Sequence, residues 1–287
     1  MDPAHDSYIP AVIPQTLAAA LSRHDSLLVA FSGGVDSTVL AVAARQVLGK
    51  DRMLAAIGVS ASLPALQLEQ ARAVAAQCDV PFREVPTAEL DDPDYAANAP
   101  DRCYFCKREL WTRLTALAER EGYAAVADGT IADDESDHRP GRRAGAEQGI
   151  VSPLAEAGFA KTDVRALARS LGLPIWDAPA APCLSSRVLY GIGVTPERLR
   201  QVEAAETFLR GMGVTGDLRV RHRGEEARIE VEPAQFARVR AARSAIAERL
   251  RDLGFAHVTL DLGGYRRGSF LRGTPAPLEP LTDGAAR

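Results

Sequence analysis

The chain has 287 residues, of which 46% are hydrophobic and 25% charged, the balance of a globular protein rather than of a fibrous or wholly disordered one. Its formal net charge of −4 argues against a broad basic surface for nucleic acid, and no apolar run is long enough for a membrane-spanning helix. The N-terminal residues lack the basic, apolar and small-residue order of a secretion signal. We therefore expect a cytoplasmic protein that binds neither membranes nor nucleic acid.

Short apolar runs alternate with helical patterns through the first two-thirds of the sequence. The apolar runs predict buried strands at Ser26–Phe31, Met53–Val59, Phe82–Val85 and Ala124–Asp128. Segments rich in Ala, Leu, Arg and Glu predict helices at Thr38–Leu48, Ala65–Gln77 and Lys107–Gly122. This alternation indicates an α/β fold with a parallel sheet covered by helices on both faces.

A second, smaller α+β unit is predicted to follow. Thr195 and Pro196 form a good helix start, with a capping hydroxyl followed by proline at the first helical position. The elements predicted after this helix are strands at Leu218–His222 and Ala227–Glu232, a helix at Pro233–Leu253 and a strand at His257–Leu262.

Charge is divided unevenly between the two parts of the chain. Residues 1–194 carry a net charge of −7 and residues 195–273 carry +4, which suggests that anionic ligands are held at or near the second domain. We place the domains at residues 1–192 and 193–273, followed by a proline-rich tail at 274–287 that we expect to be disordered.

The most specific motif directly follows the first predicted strand and opens a helix. Its glycines allow a tight turn that brings amide groups close to an anion, and the helix N-terminus adds partial positive charge. Asp36 would repel a phosphate by itself, so we expect an accompanying Mg²⁺ ion. The residues of this predicted nucleotide loop are Phe31, Ser32, Gly33, Gly34, Asp36, Ser37 and Thr38.

Two other phosphate-binding patterns are missing from this loop. It lacks the Gly-Lys-Ser/Thr ending of a Walker A site and the Gly-x-Gly-x-x-Gly of a dinucleotide fold. The alternative is a simple strand-to-helix turn that uses Gly and Ser for capping alone. Instead, residues 32–37 (Ser-Gly-Gly-Val-Asp-Ser) resemble the PP-loop of the ATP pyrophosphatase superfamily. Members of that superfamily cleave ATP between the α- and β-phosphates, adenylate a substrate oxygen and release pyrophosphate.

Further segments indicate which family of this superfamily the sequence resembles. In order and spacing, they are similar to the LarE family of ATP-dependent sacrificial sulfur transferases, which builds the nickel-pincer cofactor of lactate racemase. The segments lie at residues 128–134, 137–141, 152–154 and 182–187 (Pro-Cys-Leu-Ser-Ser-Arg), with Arg219–His222 and Ala227–Val231 in the second domain. The resemblance runs from about residue 15 to about residue 272.

The resemblance implies a chemistry and a set of residues. ATP would activate each carboxylate of a pyridinium-dicarboxylate mononucleotide as an acyl adenylate, and a sulfur donor would displace AMP to leave a thiocarboxylate. It implies a homo-oligomer and adds Ser60, Gly129 and Thr130 to the nucleotide site. Forked hydrogen bonds from guanidinium groups suit phosphate and carboxylates, and the alternative for each arginine is a solvated surface charge. The candidate substrate-binding residues are Arg187, Arg219 and Arg221.

The cysteines leave the source of sulfur open. In the family's simplest form the loop cysteine, Cys183 here, gives up its own sulfur and becomes dehydroalanine. Cys103 and Cys106, at Cys-x₂-Cys spacing, could join Cys183 as three ligands of a [4Fe–4S] cluster whose open iron carries sulfide, the form we favour from the sequence. A zinc half-site with no obvious fourth ligand, a redox disulfide and idle thiols are the alternatives. We expect Cys78 to be structural.

Three other functions compete with this interpretation. A tRNA-thiolating enzyme would share the loop and the sulfur chemistry, but the acidic total charge disfavours it. An ammonia-dependent amide-forming synthetase would leave Cys103, Cys106 and Cys183 without a role. A nucleotide sensor with a vestigial loop is disfavoured by the intact Asp36 and Ser37. We therefore predict an ATP-dependent sulfur transferase with Cys183 and Asp36 as its catalytic residues.

Overall fold

The structure, a computed structural model, describes residues 12–136, 140–178 and 182–266. The predicted tail at 274–287 lies outside the described residues, as do residues 137–139 of the family-like segments. No helix in the described part of the chain combines the length and apolar character needed to cross a bilayer.

The chain forms two compact units. The first comprises the residues up to Ser185 and returns for Val194–Pro196, and the second comprises Ser186–Gly193 and the residues from Glu197 onward. The sequence placed the division at residue 192 instead. Ser186–Gly193 join the second unit because Val188 bridges His222 and because the Leu189 N–H donates to the His222 carbonyl at 3.0 Å.

A four-stranded parallel sheet organises the first unit, as predicted. Its order is β3-β2-β1-β4, and every pair of neighbouring strands is parallel. Each predicted run forms a strand, and β1, β2 and β4 are largely buried, as expected of strands with apolar residues on both faces. The prediction of a buried strand was wrong for β3, because it lies at the edge of the sheet and exposes Arg83 and Glu84. The strands are β1 (Leu27–Ala30), β2 (Met53–Val59), β3 (Phe82–Pro86) and β4 (Ala125–Ala127).

Helices cover both faces of this sheet. Successive residues of β1 point to opposite faces, so Leu27 and Val29 join the larger hydrophobic core while Leu28 joins a second core that contains Trp111 and Leu114. The helices of the first unit are α1 (Gln15–Leu21), α2 (Val35–Leu48), α3 (Ala65–Gln77), α4 (Pro93–Ala96), α5 (Arg102–Glu121), α6 (Pro140–Glu147), α7 (Pro153–Glu156) and α8 (Lys161–Ser170).

The strand order fixes where a ligand can bind. From β1 the chain winds outward through β2 and β3, and it then returns to place β4 on the other side of β1. The loops that leave β1 and β4 therefore diverge at the carboxyl edge of the sheet and open a crevice between them. Such a reversal of strand order is where open α/β sheets bind their ligands.

The second unit is a small α+β fold. Its sheet has the order β5-β6-β7, with β5 and β6 antiparallel and β6 and β7 parallel. The helix predicted after Thr195 begins at Pro196, as expected. The elements are α9 (Pro196–Gly211), β5 (Leu218–Arg223), β6 (Glu226–Val231), α10 (Phe236–Ala241), α11 (Arg243–Asp252) and β7 (His257–Leu260).

Three predicted helices differ from the observed ones. The helix predicted at Thr38–Leu48 begins three residues earlier, at Val35. The segment predicted as one helix at Pro233–Leu253 contains a short 3₁₀ turn, α10 and α11, because the backbone leaves the helical conformation at Ala242 (φ −92°, ψ 11°). The helix predicted from Lys107 begins five residues earlier, at Arg102. Cys103 and Cys106 consequently lie in the first turns of α5 rather than in a loop before it.

We expect the stability of the first unit to depend on Leu28, the β1 side chain that packs in the smaller of the two hydrophobic cores. We predict that Leu28→Ala lowers the free energy of unfolding by about 3 kcal/mol, because Leu28 is fully buried and its truncation leaves a cavity. Leu66→Ala, on the exposed face of α3, should change it by less than about 0.5 kcal/mol. Urea unfolding followed by circular dichroism measures both, and equal losses would contradict this account of the core.

Candidate functional site

The loop from β1 to α2 has a backbone that requires glycine. Gly33 has a φ of +73°, and a Cβ atom there would lie 3.0 Å from both Cα and Cβ of Ala71. A side chain at this position would meet both a left-handed backbone and the surface of α3. The loop can therefore turn sharply from the strand into the helix only with glycine at residue 33.

Hydrogen bonds of two serine hydroxyl groups stabilise the turn between β1 and α2. The Ser37 Oγ accepts the Ser32 N–H at 3.1 Å, lies 3.0 Å from the Ser32 Oγ and donates to the Gly34 carbonyl at 3.2 Å. The Thr38 N–H makes the first intrahelical hydrogen bond of α2, to the Gly34 carbonyl at 3.0 Å. The N–H groups of residues 35–37 thus precede the helical ladder, and they are the donors that a helix N-terminus offers to an anion.

The loop after β4 approaches this helix start without an intervening side chain. A Cβ atom on Gly129 would lie 2.9 Å from the Ser37 nitrogen and 3.2 Å from the carbonyl carbon of Asp36. Asp128 shapes this loop by accepting hydrogen bonds from the Thr130 N–H (3.1 Å), the Thr130 Oγ1 (2.8 Å) and the Ser152 Oγ (2.7 Å). The two loops therefore form opposite walls of one pocket.

Most of the predicted nucleotide residues line this pocket. The predicted residues in its lining are Phe31, Ser32, Gly34, Asp36, Ser37, Gly129 and Thr130. Gly33 and Thr38 lie behind the wall, where Gly33 packs on α3 and Thr38 is buried. Ser60 also lies outside the lining, and its Oγ donates to the buried Glu89 at 2.5 Å. The roles predicted for all these residues stay predictions.

Asp36 is held by a lysine from a distant part of the chain. Lys161, the first residue of α8, places its Nζ 2.7 Å from both carboxylate oxygens of Asp36. Both side chains are partly exposed. An oxygen ligand of this kind suits Mg²⁺, which proteins bind through one or two carboxylates together with substrate phosphates. Asp36 therefore fits the metal predicted for it, and Lys161 is the cation that pairs with it.

The three cysteines predicted to act in sulfur chemistry all belong to the first unit. Cys103 is exposed, whereas Cys106 and Cys183 are partly buried. Burial, and then repulsion from Cys183 and Glu89, raises the pKa of Cys106 to about 12. Cys106 is therefore a protonated thiol at neutral pH. It lies close enough to Cys183 for a negative charge on Cys183 to disfavour deprotonation of Cys106.

A buried polar network anchors the chain immediately after Cys183. The hydroxyls of Tyr95, Ser62 and Ser185 form a triangle with sides of 2.6, 2.7 and 3.1 Å. The Leu184 N–H donates to the Ser62 carbonyl at 2.8 Å, and the buried Arg102 donates to the Ser185 carbonyl at 2.9 Å. Because buried polar groups are costly to leave unpaired, this network fixes the backbone next to the thiol.

The sequence predicts that Cys103, Cys106 and Cys183 are the ligands of a metal cluster. Within residues 12–136, 140–178 and 182–266, no group of three or more His, Cys, Asp or Glu side chains is arranged to hold a metal ion. The described residues therefore give no support to the predicted cluster, and the roles of Cys103, Cys106 and Cys183 as its ligands stay predictions. The zinc alternative meets the same obstacle, and His138 lies outside the described residues.

The predicted substrate arginines lie in the second unit, and two of them pair with carboxylates. The Arg187 Nε and Nη2 donate to the two oxygens of Glu206 at 3.1 and 3.2 Å. The Arg221 Nε donates to Glu230 at 2.9 Å. All three arginines, including Arg219, are buried in this unit. They are therefore not the solvated surface charges of the alternative interpretation.

Arg219 differs from the other two arginines in its partners. Its Nη1 donates to the Leu218 carbonyl at 2.6 Å, and its guanidinium lies 5.3 Å from the ring centroid of Tyr265. No carboxylate among the described residues accepts a hydrogen bond from it. Burial, followed by the nearby charge of Arg187, lowers the pKa of Arg219. A buried cation beside like charges favours the binding of an anion.

Sequence reasoning did not identify several residues of the site. Lys161 follows an unremarkable Gly-Phe-Ala segment, and only the packing of α8 on α2 brings it to Asp36. Lys107, one turn after Cys103, lines the nucleotide pocket together with Asp134. Tyr95 and Arg102 lie in no sequence motif that would predict a role in the site. Asp128 belongs to the family-like segment at residues 128–134. Its position directly after a predicted strand is the sequence signal that could have identified it as a site residue.

Comparisons with known proteins agree with this geometry. The NAD synthase family profile matches residues 10–113, which include the phosphate loop and the start of α5. An uncharacterized protein of Synechocystis sp., slr1717, is 44% identical over 250 residues, covering 86% of this chain and 92% of the relative. An uncharacterized protein of Methanocaldococcus jannaschii, MJ0830, is 29% identical over 85% of this chain and 92% of its own length.

A third relative has a named activity. Pyridinium-3,5-bisthiocarboxylic acid mononucleotide synthase of Lactiplantibacillus plantarum is 40% identical over 253 residues, covering 88% of this chain and 91% of the relative. Identity at this level over nearly the whole of both chains includes the phosphate-loop unit and the arginine-bearing unit. The chain therefore belongs to the PP-loop family of this synthase, the LarE family of sulfur transferases.

Proposed function

We propose that this protein is an ATP-dependent sulfur transferase that converts the carboxylates of a pyridinium-dicarboxylate mononucleotide to thiocarboxylates, a step in nickel-pincer cofactor synthesis. The observation that carries the proposal is the pocket at the β1/β4 crevice, where a PP-loop and Asp36 lie in the same unit as Cys183. The activity named for the Lactiplantibacillus plantarum relative supports the choice of substrate. The homo-oligomeric state and the cytoplasmic location stay predictions.

The first step is adenylation. A substrate carboxylate oxygen attacks the α-phosphorus of ATP, the bond from that phosphorus to the bridging oxygen of the β-phosphate breaks, and pyrophosphate leaves. The amide groups at the start of α2 and the hydroxyls of Ser32 and Ser37 supply donors for the phosphates. Mg²⁺, held by Asp36, would neutralise charge on the leaving pyrophosphate. Adenylation is needed because a carboxylate oxygen is a poor leaving group, whereas AMP leaves readily.

The second step transfers sulfur from the protein. The Cys183 thiolate attacks the acyl carbon, AMP leaves, and a thioester joins substrate and protein. A base then removes the Cα proton of Cys183, the Cβ–S bond breaks with its electron pair on sulfur, and the thiocarboxylate departs. Dehydroalanine remains at position 183, so each chain supplies one sulfur atom. The network around Tyr95 and Ser185 supports this role because it fixes the backbone beside the reacting thiol.

The arginines of the second unit would bind the anionic groups of the substrate. Arg187 and Arg221 are held by Glu206 and Glu230, which orients their guanidinium groups. Arg219 has no such carboxylate partner among the described residues. We therefore assign the substrate phosphate or a carboxylate to Arg219, with the other two arginines as its support. This assignment agrees with the net charge of +4 on residues 195–273.

The cluster-dependent form of the reaction has no support from a metal-binding arrangement among the described thiols. Cys103 is exposed, and no arrangement of three ligands is present among the described residues. The proposal therefore takes no step through a cluster, and Cys183 alone carries the transfer. Cys103 and Cys106 as ligands stay a prediction, which iron analysis can test.

The role of Cys183 is tested by removing its sulfur. Cys183→Ala should abolish thiocarboxylate formation while pyrophosphate release and the Kd for ATP stay unchanged, because adenylation precedes sulfur transfer. Cys78→Ala is the matched control, since Cys78 ends α3 and packs against its core. Mass spectrometry of the product and a pyrophosphate assay measure both steps. Thiocarboxylate formation by the Cys183→Ala variant would refute the proposed donor.

The source of sulfur is tested on protein purified without oxygen. We expect less than about one iron per chain, and after a single turnover a loss of mass equal to H₂S that maps to Cys183. Cys103→Ala should yield the same amount of product as the natural protein. About four irons per chain with matching sulfide, together with loss of turnover in Cys103→Ala, would establish the cluster instead.

The substrate role of Arg219 is tested against a neighbour on the same strand. Arg219→Ala should raise the Kd for the mononucleotide by about 10- to 100-fold, the usual effect of losing a hydrogen bond to a charged group. Arg223→Ala is the control, because Arg223 is exposed at the end of β5 and pairs with Glu226. Equal Kd values for the two variants, measured by isothermal titration calorimetry, would remove the assignment of Arg219.

A further inference from the structure

The turn that follows β7 brings Tyr265 back to the end of β6. The Tyr265 N–H donates to the carbonyl of Val231, the last residue of β6, at 2.9 Å. In the antiparallel ladder Val231 pairs with Leu218, the first residue of β5, and Arg219 is the next residue of that strand. The backbone of Tyr265 is therefore fixed beside the strand end that carries Arg219.

Asp261 stabilises this turn. Its carboxylate Oδ1 accepts the Gly263 N–H at 2.8 Å, and its carbonyl accepts the Gly264 N–H at 3.0 Å. The other carboxylate oxygen accepts a hydrogen bond from Arg228 of β6. None of these contacts involves the ring of Tyr265, so a substitution that changes only this ring should leave the turn in place.

Arg219 has a different kind of partner from the other two candidate substrate arginines. Its guanidinium carbon lies 5.3 Å from the centroid of the Tyr265 ring, within the range of a cation–π interaction. The other two arginines are instead paired with glutamates. A carboxylate neutralises a guanidinium and occupies its N–H donors, whereas an aromatic face attracts the charge and occupies none of the donors.

The surroundings of Arg219 hold its guanidinium group in two ways. The Nη1 atom donates to the Leu218 carbonyl at 2.6 Å, and the Tyr265 ring lies against the group as a second contact. Arg219 is only 9% exposed, and cation–π attraction is stronger for a desolvated cation than for an exposed one. A donor that is already fixed in place loses less conformational freedom when its ligand binds.

We infer that Tyr265 is a positioning residue for substrate binding: its ring holds the Arg219 guanidinium so that the remaining N–H donors meet the phosphate or a carboxylate of the mononucleotide. This inference rests on the proposed function and extends it to a residue outside the motifs of the sequence. The aromatic contact orients Arg219 without neutralising it. Arg219 therefore keeps its positive charge for the substrate anion.

The first test replaces the ring and measures binding. Isothermal titration calorimetry gives the Kd of the pyridinium-dicarboxylate mononucleotide for the natural protein and its variants. Tyr265→Leu should raise this Kd by about 3- to 30-fold, the range of a desolvated cation–π contact, and leave the Kd for ATP unchanged. Tyr265→Phe should recover most of the affinity, because the ring rather than the hydroxyl contacts Arg219. Trp176→Leu is the matched control, since it removes the arginine–aromatic contact of Arg169 in the first unit.

A double-mutant cycle tests whether Tyr265 acts through Arg219. In the Arg219→Ala background, Tyr265→Leu should cause no further loss of mononucleotide affinity, because the group that the ring positions is already absent. A full additional loss would overturn the inference, since it would mean that the ring acts independently of Arg219. Circular dichroism checks folding, and Tyr265→Met gives the same comparison if Tyr265→Leu does not fold.

The outcomes separate this inference from the proposed function. If the natural protein did not bind the mononucleotide, the proposed function itself would fail. If the natural protein bound it, Arg219→Ala weakened binding and Tyr265→Leu matched the natural protein, only the inference about Tyr265 would fail. An equal loss in Tyr265→Phe and Tyr265→Leu would also overturn the inference, because it would assign the effect to the hydroxyl group.

Discussion

The nucleotide pocket depends on a direct backbone contact between the loop after β4 and the first turn of α2. Gly129 lies so close to Ser37 that any Cβ atom there would stand 2.9 Å from the Ser37 nitrogen. This contact can form only because β1 and β4 are adjacent, parallel and end at the same edge of the sheet. The order of the strands therefore sets the width of the crevice, and glycine at residue 129 allows its walls to meet at the base.

Two carboxylates beside the pocket have different kinds of partner. Asp36 accepts hydrogen bonds from Lys161 at both oxygens, and both side chains are partly exposed. Asp128, in contrast, is satisfied by the hydroxyls of Thr130 and Ser152 and acts as a fixed structural acceptor. Two carboxylates at one sheet edge thus have different roles because their hydrogen-bond partners differ.

The loop of Cys183 is held by polar groups rather than by an apolar core. Tyr95, Ser62 and Ser185 satisfy one another, and Arg102 satisfies the Ser185 carbonyl. Directional hydrogen bonds fix a backbone more specifically than apolar contacts, and a partly satisfied network of this kind would be costly. The start of α5 also belongs to this arrangement, which explains why the helix begins at Arg102 and why Cys106 lies near Cys183.

The sequence by itself determined the α/β class, all four strands of the main sheet, the phosphate loop and the family. These features have local signals, since buried parallel strands are continuous apolar runs and a tight turn into a helix needs glycine at Gly33. Only the tertiary structure decided that Lys161 pairs with Asp36 and that Cys103 lies exposed on a helix. It also decided that Arg187 and Arg221 pair with carboxylates, whereas no carboxylate in the described part of the chain accepts a hydrogen bond from Arg219. Those facts depend on contacts between residues far apart in the chain, and no local pattern of residue types encodes them.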